Sequence, residues 1–277
     1  MTTSAEAAEF ETLAVELAQV AGAQIVASLG RTLTVRYKGA EERAAADIYR
    51  DPVSDVDHAV EVTLRARLAD RFPDHDIIGE EIDEQPEKRG RIVWAVDPVD
   101  GTANFVNGFP LFGAIIGVLD EGRPVAGAIW CSTSHALRAG VYHARDGGSL
   151  CFDGTTLNVE RNPAVMRRIV GMPRLQASSS HGYDIRQTGS AAIECAFVAA
   201  GLMAAAKFDR PNLWDAAGGV PLIKAGGGVV LTRRSEAEAW APFERFSGIN
   251  GDGDPYGWKQ PMLIGNADAV GALAKEG

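Results

Sequence analysis

Trp94-Ala-Val-Asp-Pro-Val-Asp-Gly-Thr-Ala-Asn-Phe105 decides how this chain is read. Ile92 to Val96 is an apolar run of strand type, and Asp97 ends it. Pro98 has no N–H and stops ladder pairing. Asp100 follows three positions on, Gly101 permits a tight turn, and Thr102 begins a short helix. A turn from strand end to helix points backbone N–H groups outward, where a phosphate can sit. Two carboxylates at the same spot repel each other and the phosphate, by about 1 kcal/mol at ~4 Å in water and several-fold more when half-buried. A divalent cation in the gap resolves the conflict, and all-oxygen ligands favour Mg2+. Taken alone, the string reads first as a capped turn, with Asp97 as an N-cap and Asp100 solvated.

Its company argues for the cation. Gly79-Glu80-Glu81 ends the short apolar run from Ile77, Trp214-Asp215 opens a later helix, and Asp57 lies in the first turn of another. Singly, an acid in a helix's first turn is explained by the helix dipole. Together these acids stand at element ends, where α/β folds form their ligand crevices.

The rest of the chain bounds the answer. With 277 residues, 46% of them hydrophobic, it is long enough for one large α/β domain or two packed lobes. A net charge of -10 and a pI near 5.0 argue against nucleic-acid binding, which needs basic stripes. Cys131, Cys151 and Cys195 are an odd count without CxxC spacing, which predicts no disulfide framework and a reducing, cytoplasmic setting. No apolar run is long enough to span a membrane, and the acidic N-terminus is wrong for a secretory signal.

Capping boxes at Thr3/Glu6 and Ser54/Asp57 predict helices to about Gly30 and Phe72, with residues 38–52 between them as an exposed loop. Phe112–Leu119, Val125–Trp130 and Ala136–His143 read as antiparallel strands. Beyond residue 158, strands at Arg168–Gly171, Ala204–Phe208 and Val229–Leu231 alternate with helices at Ser190–Gly201 and Trp214–Ala225, which predicts parallel βαβ units. Gly226-Gly-Gly228 fits a helix C-cap, and there is no GxGxxG or Walker A. Gly248–Pro255 fails the calcium-loop pattern, and the five histidines lack metal-binding spacing. Cys195 reads as a small buried apolar residue.

Val53-Ser-Asp-Val-Asp57-His-Ala-Val-Glu61, Gly79-Glu-Glu81, Asp97-Pro-Val-Asp-Gly-Thr102 with Asn104-Phe105, Thr188-Gly-Ser-Ala-Ala192 and Trp214-Asp215-Ala-Ala-Gly218 together resemble the Mg2+-dependent, lithium-sensitive inositol monophosphatase family. The motifs fall in the family's order over about residues 10–235. The resemblance implies a layered αβαβα sandwich: an α+β lobe over 1–158 with an antiparallel sheet, and an α/β lobe over 159–277 with the substrate pocket. It implies phosphomonoester hydrolysis by metal-activated water without a covalent intermediate, two or three Mg2+ ions, inhibition by Li+, and a homodimer. Glu80, Asp97 and the Val99 carbonyl look like ligands of one ion; Asp97, Asp100 and Asp215 look like ligands of a second. Asp57 and Thr102 resemble the pair that activates water, and Glu80 joins them as a catalytic group through a third ion. Gly101 and Thr102 would hold phosphate, and Gly189, Ala191 and Asp215 would line the substrate pocket.

Three features depart from the family pattern. Ala103 stands where a second Thr is common, Phe208 replaces the Glu that contacts inositol, and residues 240–258 form an unusual aromatic, Gly-rich stretch best explained by packing or a subunit contact. Inositol 1-phosphate is the first substrate; histidinol phosphate is the alternative, with Asp209 pairing to its ammonium. Nucleoside 3′,5′-bisphosphate and fructose 1,6-bisphosphate come behind, for want of a basic cluster to hold a second phosphate. A haloacid dehalogenase-type phosphatase needs acids two apart, where Asp97 and Asp100 are three apart. A regulatory, polymerase-associated role is the non-enzymatic alternative, and the intact acids argue against it.

Overall fold

A computed structural model describes residues 1–38, 52–82, 90–158, 164–166, 168–174, 182–235, 237–247 and 255–275. The first half contains α1 (Ser4–Ser28), β1 (Val35–Tyr37), β2 (Pro52–Ser54), α2 (Asp55–Arg71), β3 (Asp76–Gly79), β4 (Ile92–Asp100) and the short α3 (Thr102–Val106). There follow β5 (Gly113–Asp120), β6 (Arg123–Cys131), β7 (Gly140–Arg145), β8 (Cys151–Phe152) and β9 (Thr155–Thr156). The second half contains β10 (Ile169–Gly171), β11 (Asp184–Arg186), α4 (Ala191–Ala199), β12 (Ala205–Phe208), α5 (Leu213–Ala217) and α6 (Gly219–Ala225). It ends with β13 (Val229–Thr232), β14 (Ala241–Pro242), β15 (Met262–Gly265) and α7 (Ala267–Leu273).

Both predicted capping boxes are present, at Thr3/Glu6 and Ser54/Asp57. α1 and α2 lay Phe10, Leu17, Leu64 and Leu68 on one face of a seven-stranded sheet ordered β3-β4-β5-β6-β7-β8-β9. Its other face meets α4, α5 and α6, which also cover a six-stranded sheet ordered β11-β10-β12-β15-β13-β14. α7 closes the far side of that sheet through Ala269, Val270 and Leu273. The layers run α, β, α, β, α, as the motifs imply. The first sheet is antiparallel except for β3, which pairs with β4 in parallel.

Four readings are corrected. The strand does not end at Asp97: β4 runs on to Asp100 through a bulge, where Asp97 pairs with Ile115 and Asp100 with Gly113. Two residues on β4, Pro98 and Val99, face one on β5, Ala114, because Pro98 cannot donate to the ladder. The second sheet is mixed rather than parallel, since β15 lies antiparallel between β12 and β13. The helix read as Trp214–Ala225 breaks at Gly218 into α5 and α6. The strand read from Ala136 starts at Gly140, with Leu137 in a turn at φ 56°.

The bulge decides where the acids point. On a regular strand, residues three apart lie on opposite faces. Here Val96 and Val99, also three apart, both pack toward α1 and α2. The extra residue turns the pleat over, so Asp97 and Asp100 share the opposite face, toward α4–α6.

A close approach brings Asp215 to them. A Cβ on Gly117 would stand 2.6 Å from the Gly218 nitrogen, and one on Gly127 would strike the Gly218 carbonyl. Glycine at these positions lets the α5–α6 junction rest on the β5–β6 backbone.

Candidate active site

Between the two sheets Asp57, Glu80, Asp97, Asp100 and Asp215 lie near enough to act on one another's charge. Asp57 caps α2: its Oδ2 accepts from the Ser54 backbone N–H at 3.0 Å and from the Ser54 hydroxyl. Its Oδ1 lies 2.9 Å from Thr102 Oγ1, which is also 2.8 Å from the Val99 carbonyl. The predicted Asp57–Thr102 pair is therefore in contact. Thr102 opens α3 behind Gly101, whose φ of 79° favours glycine. A side chain at Gly101 would also press on Ser190 Cβ and Leu111 O, each at 3.1 Å.

Asp100 joins the two sheet layers. It accepts the Ser190 hydroxyl and the N–H groups of Ala191 (3.1 Å) and Ala192 (2.9 Å), at the start of α4. Burial raises its pKa to about 6 against these hydrogen bonds, with Glu80 adding repulsion. Asp215 accepts from Asn212 N–H at 2.7 Å and Asn212 Nδ2 at 3.3 Å, as the N3 group of its own capping box. Burial, then Glu80 and Asp100, push it up to about 8.

Asp97 differs. It is 2% exposed, and its Oδ1 is buried without a hydrogen-bond partner. Burial raises its pKa well above the carboxylate range, and Glu80, Asp100, Asp215 and Asp57 push it in the same direction. A buried acceptor with no donor, ringed by other acids, is a group short of a cation.

Glu80 lies at the mouth of the crevice, where Lys38 Nζ bridges Glu80 Oε1 at 2.8 Å and Glu81 Oε1 at 2.7 Å. Glu81 is raised to about 7, by burial first. Lys38 is thus engaged with the acids, which corrects its reading as the start of an exposed loop; residues 39–51 lie outside the described residues.

Among the described residues, no three Asp, Glu, His or Cys side chains converge into a ready-made ion cage. The reason is visible in their partners: Glu80 is turned to Lys38, Asp100 to α4 and Asp215 to Asn212. The donor set still fits Mg2+, because it is all carboxylate and carbonyl oxygen and because Asp97 Oδ1 has no partner within the protein.

Several supports went unrecognised in the sequence. Glu61 is fully buried, and its carboxylate accepts from Arg65 Nε at 2.8 Å, Glu81 N at 2.7 Å and Ile82 N at 3.2 Å. It fixes the backbone on either side of Glu80, and any side chain at Gly79 would strike it. The i,i+4 spacing of Glu61 and Arg65 was the available signal. Asn104 Nδ2 donates to Leu111 O (2.6 Å) and Thr188 O (2.8 Å), tying α3 to the loop carrying exposed Gly189 and half-buried Ala191. Glu194, buried and raised to about 7, accepts from Thr188 Oγ1 at 2.7 Å below that loop.

Other groups take structural places. Cys195 is buried against Gly219, its thiol pushed up by burial, and all three cysteines are free. His75 stacks on Phe72 at 4.5 Å, His135 meets Tyr142, and His143 bonds Glu11; His181 lies outside the described residues. Phe243, Phe246 and Trp258 form a buried ring cluster, and Phe246 N–H donates to Gly122 O, so this part of the aromatic stretch packs against the first sheet. Most of the failed calcium loop, residues 248–254, lies outside the described residues. Among the described residues no helix is long and apolar enough to cross a membrane.

Comparison with known proteins agrees with this geometry. The model of the inositol monophosphatase family matches residues 6–260. Inositol monophosphatase 1 of Sus scrofa is 31% identical over 240 residues, covering 79% of this chain and 81% of that one. The chloroplastic phosphatase IMPL1 of Arabidopsis thaliana is 28% identical over 83% of this chain and 64% of its own length. Among solved structures, the suhB protein of Bartonella henselae superposes with a TM-score of 0.71 at 24% identity, over 95% of this chain and 96% of that one. A structure described as an IMPase/NADP phosphatase complexed with Mg2+ and phosphate gives 0.68 at 18% identity, over 94% and 91%. Family membership brings with it dependence on Mg2+. The chain belongs to the inositol monophosphatase family, and it is a phosphoric monoester hydrolase.

Proposed function

We propose that this protein hydrolyses a small polyol phosphate, inositol 1-phosphate first, using two or three Mg2+ ions and with sensitivity to Li+. The observation that carries the reading is Asp97 Oδ1, buried without a donor beside the Thr102–Asp57 contact. Glu80, Asp97, the Val99 carbonyl, Asp100 and Asp215 would hold the ions. Bound Mg2+ supplies charge for the phosphate and acidifies water.

The chain's own residues do the rest. When Thr102 donates to Asp57, its oxygen lone pairs are free to accept a proton from the attacking water. As it does so, Asp57, whose pKa burial raises, is placed to take the Thr102 hydroxyl proton in exchange. The N–H groups of Gly101 and Thr102 at the start of α3 face phosphate, and Gly189 and Ala191 shape the pocket for the alcohol.

Histidinol phosphate is the second reading. Phe208 is half-buried where inositol enzymes carry Glu, whereas Asp209, read as the partner of the substrate ammonium, is turned to Arg174 at 3.7 Å. Nucleoside 3′,5′-bisphosphate and fructose 1,6-bisphosphate rank lower. Measuring kcat/KM for these esters with Mg2+, and with added Li+, tests the reading. Inositol 1-phosphate should lead and Li+ should inhibit; Mg2+-independent turnover would refute it. Two lobes, 1–158 and 159–277, flank the site in this reading. Phe109 and Leu137, 51% and 90% exposed beside one apolar groove, favour a homodimer, which light scattering would check. Free thiols at all three cysteines favour a reducing cytoplasm.

A further inference from the structure

A cavity of about 570 Å3 lies beside the second sheet, and none of the crevice acids lines it. Strand alternation fixes that placement. Ala206 and Phe208 of β12 pack toward the layer between the sheets. Ala205 belongs to the outer core under α7, and Lys207, two residues on, follows it to that face. The same step carries Met172 to Arg174 beyond β10 and Leu231 to Arg233 beyond β13. These three strands run in one direction, so three cations gather at their carboxyl ends.

Arg210, Arg234 and Lys259 complete the wall, and Asp209 is the one acid among the described residues lining it. The six cations come from four separate segments of chain, a cluster that no local spacing announces. In a protein of net charge -10 this concentration of one sign is unusual. Asp209 reaches Arg174 at 3.7 Å, and no carboxylate of a described residue pairs with Lys207, Arg210, Arg234 or Lys259. Arg233 is 6% exposed, and its guanidinium carbon stands over the Trp240 ring at 4.6 Å, a contact that orients it.

Cations held this close repel one another, and an anion relieves the repulsion. Arginine forks match phosphate oxygens in particular. The volume falls within the range of about 300–1,000 Å3 typical of small-ligand sites. We propose that this cavity is a second anion site, separate from the metal crevice, that binds a small phospho-anion carrying at least two negative groups.

The two sites respond oppositely to metal. Without Mg2+ the crevice is a nest of carboxylates and rejects anions, whereas the basic cavity needs no metal. The test is calorimetric titration of inorganic pyrophosphate into the EDTA-treated full chain. The proposal predicts one site, unaffected by Asp97→Asn and weakened about tenfold or more by Arg234→Glu with Lys259→Glu. Lys207→Gln should weaken it as well, and emission from Trp240 beside Arg233 should follow occupancy. No binding up to about 1 mM, binding unchanged in the double variant, or equal binding of citrate would each overturn it. Oligonucleotide binding that strengthens with length would overturn it in favour of a nucleic-acid surface.

Discussion

Glu61 on α2 and Asp97 on β4 are both carboxylates withdrawn from water, and their surroundings differ in kind. Glu61 has Arg65 beside it and two backbone N–H groups pointed at it. Asp97 has a donorless oxygen and four other acids around it. A buried charge is tolerated when hydrogen bonds and an opposite charge replace water. Glu61 meets that condition within the protein and holds up the Gly79–Glu81 turn. Asp97 has no such partners within the protein and is neutralised by a proton or by an added cation, which sets it apart from a structural acid.

The largest effect should come from Asp97. Asp97→Asn should lower kcat/KM by about a thousandfold or more, since the crevice loses its central ligand. The same change should leave the metal-free protein as stable or more so above neutral pH, because a repelled carboxylate is gone. Parallel assays and melting curves check both; a metal-free protein destabilised by Asp97→Asn would erase the distinction from Glu61. Thr102→Ala should cost about a hundredfold or more in kcat with KM little changed, a split that steady-state kinetics reads.

Glu61→Ala should behave in the reverse sense. Removing one partner of a buried pair should destabilise the fold by about 3 kcal/mol, measured by urea unfolding. Mg2+ affinity should fall about tenfold or more, because the backbone beside Glu80 loses its anchor. Lys38→Ala, at a partly exposed pair, should change stability by less than about 1 kcal/mol.

The acids also set a pH dependence. Asp100 at about 6 and Asp215 at about 8 both lie above their ordinary 3.8. The folded protein then holds protons that the unfolded chain has released, so stability declines with rising pH from about 4. The decline runs at least to the folded value of Asp215 near 8, and Asp97, raised for the same reasons, acts in the same direction. Melting of the EDTA-treated protein between pH 4 and 9 checks the direction, and Mg2+ should flatten the curve.

How much of this was legible in sequence depended on range. Ser54/Asp57 and Thr3/Glu6 are local signals, and both caps formed as spaced. The acids were visible as types at element ends, but that Asp97 and Asp100 face one way follows from a bulge opposite β5, which no local pattern announces. Lys38 meets Glu80 from 42 positions away. The insertion of β15 between β12 and β13 was equally hidden, because Met262–Gly265 is four residues long and its partners lie far upstream. The basic cavity shares that origin, since topology alone brings its segments together.

On this reading Asp97 and its neighbours are incomplete without a divalent cation. Melting of the metal-free protein against rising Mg2+ at pH 8 tests it most directly. The melting temperature should climb with the logarithm of Mg2+ concentration above its dissociation constant, and Asp97→Asn should abolish the climb. A melting temperature indifferent to Mg2+, or one that rises equally in Asp97→Asn, would contradict it.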